Sequence, residues 1–148
     1  YYNPNIQPRS EYDKRLENQK LVLEHIPGVT LVECGYDGEA YNAAVAGLES
    51  EPEGGARCTE CFRLRLDFAA REAARLECEY CCTTLSVSPH KDAQRINALG
   101  YEICAKYGVK WLPGDFKKRN GYKRSIELSN EYGLYRQDYC GCLYSKAR

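Results

Sequence analysis

Residues Tyr80 to Leu112 read YCCTTLSVSPHKDAQRINALGYEICAKYGVKWL. Tyr80 to Val87 is rich in β-branched and aromatic residues and is broken by Ser88-Pro89, as a buried strand would be. Asp92 to Tyr107 reads as a helix, and Gly108 stands where a glycine ends one. Val109 to Leu112 is a second short strand. Strand, helix, strand in that order predicts a parallel pair joined by a crossover helix.

Outward from this unit the alternation continues. On the N-terminal side a long helix is predicted from Cys58 to Leu76, with Cys61, Leu64, Phe68 and Ala69 at helical spacing and Arg63, Arg71 and Arg75 on wetter faces. Before it, the acidic, glycine-rich Glu51 to Gly55 reads as a mobile loop. Glu39 to Leu48 reads as a helix packing through alanines, and Val29 to Cys34 (VTLVEC) as a strand. A helix runs from Ser10, whose pairing with Asp13 resembles a capping signature, to about Ile26, and Pro27-Gly28 stops it. Tyr1 to Ile6 reads as the end of a strand entering a loop, so the chain is expected to be N-terminally incomplete. On the C-terminal side Gly114 to Gly121 is a basic loop, Tyr122 to Tyr132 a helix stopped by Gly133, and Leu134 to Arg148 irregular. The expected fold is α/β, a mostly parallel sheet flanked by helices. It forms one domain over 1–148, with a basic, cysteine-containing segment from about 114. In such sheets ligands sit beyond the carboxyl ends of the strands, so the loops after Ile6, Val87 and Leu112 are the expected walls of a site.

With 148 residues the chain has enough length for a hydrophobic core without disulfide staples. Its formal charge is zero, so a nucleic-acid surface would have to be local. No apolar run approaches the roughly 20 residues of a membrane span. The 13 tyrosines against 3 phenylalanines favour half-wet packing, where a ring is buried and its hydroxyl reaches a partner. Nine cysteines is an odd number in a chain of helix formers, which speaks against a secreted disulfide scaffold and for a reducing cytoplasm.

The close-set thiols carry the chemistry. Cys58 and Cys61 are three residues apart at a helix start, where free N–H groups and the helix dipole favour thiolates. They read as two ligands of a metal or an iron–sulfur cluster; a redox pair or two ordinary half-buried cysteines are the alternatives. Cys140-Gly141-Cys142 closes only through a tight ring, the labile kind of disulfide, so a reversible dithiol is the first reading and two further metal ligands the second. Cys81 and Cys82 point to opposite faces of a strand, and Cys34, Cys78 and Cys104 read as structural. Lys117, Lys118, Arg119, Lys123, Arg124 and Arg136, interleaved with Tyr122, Tyr132 and Tyr135, form a basic and aromatic patch suited to RNA, or else a solvated face.

Five segments carry a family resemblance: YYNPNIQPRSEYDKRLE (Tyr1 to Glu17), GGARCTECFRLRL (Gly54 to Leu66), TTLSVSPHKD (Thr83 to Asp92), GVKWLPGDFKKRNGYKRSIELS (Gly108 to Ser129) and GLYRQDYCGCLYS (Gly133 to Ser145). In these the chain resembles the QueH-type epoxyqueuosine reductases. The resemblance implies an adenine nucleotide alpha-hydrolase-like (HUP-like) fold and reduction of epoxyqueuosine in tRNA to queuosine. It also implies a [4Fe–4S] cluster taking two ligands from Cys58 and Cys61, with a further iron ion beside it. Cys140 and Cys142 match the family's redox-active pair. The family's other two cluster ligands, an adjacent Cys-Cys on an N-terminal strand and loop, have no counterpart here, and Cys81-Cys82 does not replace them, so a truncated form is expected. Asp115 and Tyr139 are the expected proton donors, Lys117 to Arg124 with Arg136 the expected contact to the anticodon arm, and the electron donor is open. A tRNA-binding module with a zinc-filled or vestigial cysteine site, and a thiol–disulfide oxidoreductase, are the other readings.

Overall fold

The structure, a computed structural model, describes residues 1–146. The last two residues of the expected irregular tail lie outside the described residues. In chain order the elements are α1 (Arg9–Glu24), α2 (Gly38–Ala44), α3 (Ala56–Arg75), β1 (Tyr80–Cys81), a 3-10 turn (Leu85–Val87), α4 (Ala93–Lys106), β2 (Lys110–Trp111), α5 (Gly121–Glu131) and α6 (Leu143–Lys146).

The predicted crossover is present. β1 and β2 are parallel, with Tyr80 opposite Lys110 and Cys81 opposite Trp111, and α4 connects them. Two flanking bonds lengthen the ladder: Lys110 N–H donates to the Glu79 carbonyl at 3.0 Å and Leu112 N–H to the Cys81 carbonyl at 2.9 Å. The core lies between this pair and two helices. α3 contributes Cys58, Phe62, Leu66, Ala70 and Ala73, a stripe repeating about every four residues; α4 contributes Ile96, Leu99, Ile103 and Cys104. Each large aliphatic or aromatic side chain buried here stabilises the fold by about 1.5–3 kcal/mol. Asp92 caps α4 by accepting from the Arg95 N–H at 3.2 Å. Gly100 of α4 lies directly against the Trp111 indole, which lets helix and strand approach closely.

Several sequence expectations are corrected. Val29 to Cys34 forms no ladder, nor does Tyr1-Tyr2; among the described residues the sheet has two strands. Val29 is exposed, and among the described residues the segment lies beside no strand edge with which to pair. The strand expected over Tyr80 to Val87 ends at Cys81. Thr83 Oγ1 accepts the Leu85 N–H at 3.2 Å, a local side-chain bond that competes with a ladder and turns the chain into the 3-10 segment. Ser10 does not cap α1: the helix starts after Pro8, whose ring suits a helix start, and Asp13 pairs instead with Arg9 at 3.0 Å. Glu51 to Gly55 is tied down on both sides. Arg57 donates to the Glu49 and Glu51 carbonyls, Arg95 to the Gly54 carbonyl at 2.6 Å, and Lys91 reaches Glu53 at 3.8 Å.

Candidate functional site

The two cysteine pairs come together. Cys58 and Cys61, from the first turns of α3, and Cys140 and Cys142, from the turn before α6, line one open cavity of about 1170 Å³. Cys61 packs in a small cluster with Cys142, Tyr41 and Val45, against which Cys140 and Tyr144 also rest.

The α3 pair is set by the loop before it. Gly54, in the left-handed region at φ 86, directs its N–H onto Cys58 Sγ at 3.2 Å. Arg57, only 1% exposed, holds that loop through Nη1 while its Nε and Nη2 stay buried without partners, and its guanidinium lies 4.9 Å over the Tyr144 ring. Burial pushes the Cys61 thiol up, with Arg65 opposing.

The C-x-C turn is held at every carbonyl. Arg15 donates Nη2–H to the Tyr139 carbonyl and Nη1–H to that of Cys140, each at 3.0 Å. Gln7 N–H reaches the Gly141 carbonyl at 2.9 Å, and Ser145 Oγ–H the Cys142 carbonyl at 2.8 Å. Gly141 has φ +128, and a Cβ there would meet Ile6 Cγ1 at 2.9 Å, so the tight turn requires glycine. The two sulfurs are 3.8 Å apart and both thiols are free. Their protons are shared unequally. The hydrogen bond from Cys140, reinforced by Ser145 and Tyr41, draws Cys142 well below the usual thiol range, and the same bond together with burial pushes Cys140 up. Tyr41, 1% exposed, is therefore a phenol whose hydroxyl supports the Cys142 sulfur; burial is the main cause of its own upward shift.

The other expected residues divide. Tyr139 lines the cavity, donates its hydroxyl to the Gln7 carbonyl at 2.6 Å and is kept protonated by burial. Asp115 does not line it; Lys117 at 2.7 Å and Lys118 at 3.6 Å pair with its carboxylate, and the Lys117 hydrogen bond holds it below the usual range. That carboxylate carries no proton at neutral pH. The basic patch is partly neutralised by these pairs and by Arg124 with Glu127 at 3.1 Å. Arg119 and Lys123 have no carboxylate partner among the described residues, and both are exposed. Arg136 donates to Ser129 Oγ at 3.0 Å beside the Tyr122 ring. Cys81 is buried in β1 and Cys82, just past its end, is exposed; Cys78 is exposed, and Cys104 is buried beside Cys81. Sequence reading passed over Arg15, Glu11 and Tyr41. Their only local signals are an acid and a base four residues apart in α1, and a lone aromatic in an alanine-rich helix.

Residues 1–148 match the family model described as "Epoxyqueuosine reductase QueH". The chain belongs to this family. Curated relatives of that name include one from Streptococcus pyogenes serotype M1, 45% identical over 98% of this chain and 59% of its own length. Others are from Staphylococcus epidermidis, at 41% over 98% and 64%, and Thermotoga maritima, at 39% over 98% and 77%. The chain thus spans 59% and 64% of the length of two of these relatives, and 77% of the third. The family's described reaction is consistent with a metal cofactor. Two buried thiols at i and i+3, one of them accepting a backbone N–H, suit two thiolate positions of an iron–sulfur cluster. Among the described residues no three His, Cys, Asp or Glu side chains converge as a metal site.

Proposed function

We propose that this chain carries the catalytic centre of an epoxyqueuosine reductase, acting on tRNA in the cytoplasm. One observation supports the reading above others: cysteine pairs about 80 residues apart in sequence line one cavity of a QueH-family fold. The parallel crossover around α4 supports the finer HUP-like class for the single domain over 1–148.

Converting the epoxide to an alkene consumes two electrons and two protons and releases the oxygen as water. Closing Cys140, a thiol, and Cys142, a thiolate, to a disulfide supplies both electrons and one proton; the second proton comes from the Tyr139 phenol, restored from solvent, and an external dithiol then reopens the disulfide. Cys58 and Cys61 would hold two corners of a [4Fe–4S] cluster, which when bound supplies single-electron transfer. The remaining work falls to side chains. Tyr41 holds the Cys142 sulfur, Cys140 retains a proton for delivery, and Tyr139 keeps a protonated phenol at the cavity wall. Arg119 and Lys123 offer cations to tRNA phosphates, with Arg136 and Tyr122 adjacent.

The test is anaerobic incubation of the protein with epoxyqueuosine-containing tRNA, followed by nucleoside mass spectrometry. Loss of one oxygen from the modified nucleoside by the parent, and its abolition over multiple turnovers in Cys140→Ser, is the expected result. Full turnover by Cys140→Ser removes the redox pair. Stoichiometric zinc without iron or sulfide, and no turnover, favours the tRNA-binding module; reduction of protein disulfides without tRNA favours a thiol–disulfide oxidoreductase.

A further inference from the structure

The turn Tyr139 to Cys142 is short, yet each of its four carbonyls receives a hydrogen bond while its sulfurs form no disulfide. Two of those bonds come from a single guanidinium. Arg15 is half of a largely buried ion pair: its Nε–H donates to Glu11 Oε1 at 2.8 Å, with side-chain exposures of 10% and 13%. Glu11 is fixed in turn by the Tyr135 hydroxyl, which donates at 3.1 Å. Nη1 also lies 3.2 Å from where a Cβ on Gly141 would be, so the guanidinium packs on the turn as well as bonding to it. A planar fork with five donors can satisfy a carboxylate and two carbonyls at once; an ammonium has no such geometry.

Closing the disulfide brings the sulfurs from 3.8 Å to about 2.05 Å. That approach turns the Cys140 and Cys142 side chains toward each other and, with only Gly141 between them, also twists the peptides whose carbonyls Arg15 and Gln7 hold. The existing bonds are therefore bonds of the open dithiol.

We propose that Arg15, oriented by Glu11, is the positioning residue of the Cys140/Cys142 pair, holding the turn in its dithiol geometry and opposing closure to the disulfide. This rests on the reading of the pair as redox-active. A pair held open in this way is readily re-reduced after each turnover and gives up its electrons only to a substrate bound in the cavity.

The test is a redox titration of the anaerobically purified protein in glutathione buffers. The exchange converts two thiols and glutathione disulfide to the protein disulfide and two glutathiones, and the Cys140/Cys142 peptide is quantified by alkylation and mass spectrometry. Arg15→Met is expected to shift the equilibrium toward the disulfide about tenfold, which is ~30 mV for a two-electron couple. Arg15→Lys, which keeps the charge but loses the fork, is expected to fall between Arg15→Met and the parent. Equal constants in Arg15→Met and the parent, or a shift toward the dithiol, overturn the clamp while leaving the redox pair intact. A parent that forms no Cys140–Cys142 disulfide at any buffer ratio overturns the redox reading and the clamp with it. Should Arg15→Met fail to fold by circular dichroism, Glu11→Gln decides: about a threefold shift toward disulfide supports the clamp, and no shift overturns it.

Discussion

Replacing Gly100 by alanine tests whether the sheet, α4 and the loop beyond β2 are packed as described. A Cβ at position 100 would lie 2.2 Å from Cε2, 2.3 Å from Cδ2 and 2.6 Å from Cζ2 of Trp111. Carbon atoms in good contact sit about 3.5–4.0 Å apart, so the indole or the helix must give way by more than ~1 Å. The indole has little room: it is 6% exposed, and its Nε1–H donates to Asn97 Oδ1 at 3.0 Å. Overpacking of this kind costs about 1–3 kcal/mol. Losing the Trp111–Asn97 bond adds about 1 kcal/mol. Alanine returns about 1 kcal/mol of helix propensity over glycine. The balance is a loss of about 2 kcal/mol, or roughly 4–8 °C in Tm for a chain near this size. Thermal and urea unfolding followed by circular dichroism give the stability, and Trp111, the one tryptophan of the chain, reports its own displacement through a red-shifted emission. The same Asn97 bonds to both N–H and carbonyl of Gly114, at 3.2 and 3.1 Å, so the loop carrying Asp115 and Lys117 loosens as well. An unchanged or higher Tm with unshifted emission would show that helix and strand do not meet at this glycine.

Tyr41→Phe should raise the Cys142 thiol toward the ordinary range, because the hydroxyl that supports its thiolate is gone; slower alkylation of Cys142 at neutral pH in metal-free protein, with an inflection moved to higher pH, is the readout. The fold should weaken in alkali. Burial raises Tyr1 from 10.0 to about 12 and raises Tyr12 and Tyr139 in the same direction. A group whose folded value is raised gives stability that is complete below its unfolded value and lost as pH climbs through the folded one, so Tm should fall between about pH 10 and 12, in step with late phenolate absorbance. An unfolding temperature flat across that window contradicts the burial of these rings. Arg119→Glu with Lys123→Glu should weaken tRNA binding severalfold at physiological salt and reduce the salt slope by about 1 for each lost phosphate contact. An unchanged slope would move the RNA contact elsewhere.

Legibility followed the range over which each feature is encoded. α3, α4 and the crossover were readable because periodicity and terminal signals lie within a few residues of one another. The spacing of Cys58 with Cys61, and of Cys140 with Cys142, is likewise local. The ion pairs at Asp115 and Glu127 were also within reach, since each acid lies two or three residues from its base; composition registered the cations and passed over their partners. Val29 to Cys34 misled because an apolar run becomes a strand only beside another edge, and that is a tertiary fact. Arg15 was invisible for the same reason: it bonds carbonyls 124 and 125 residues away. The tyrosine excess proved informative in kind. Tyr12, Tyr107, Tyr135 and Tyr139 each place a hydroxyl on a carbonyl or carboxylate while the ring packs.

The span of the Arg15 contacts has a consequence for assembly. α1 and α3 are synthesised well before Tyr139 to Cys142, and joining residues 125 apart closes a long loop. Each doubling of loop length adds only about 0.6 kcal/mol, so that closure is thermodynamically cheap, yet it can occur only late. The wall of the cavity that carries Cys140 and Cys142 therefore forms only once their turn docks on α1. Until then the side of the cavity lined by Cys58 and Cys61 is reached without passing the C-x-C turn.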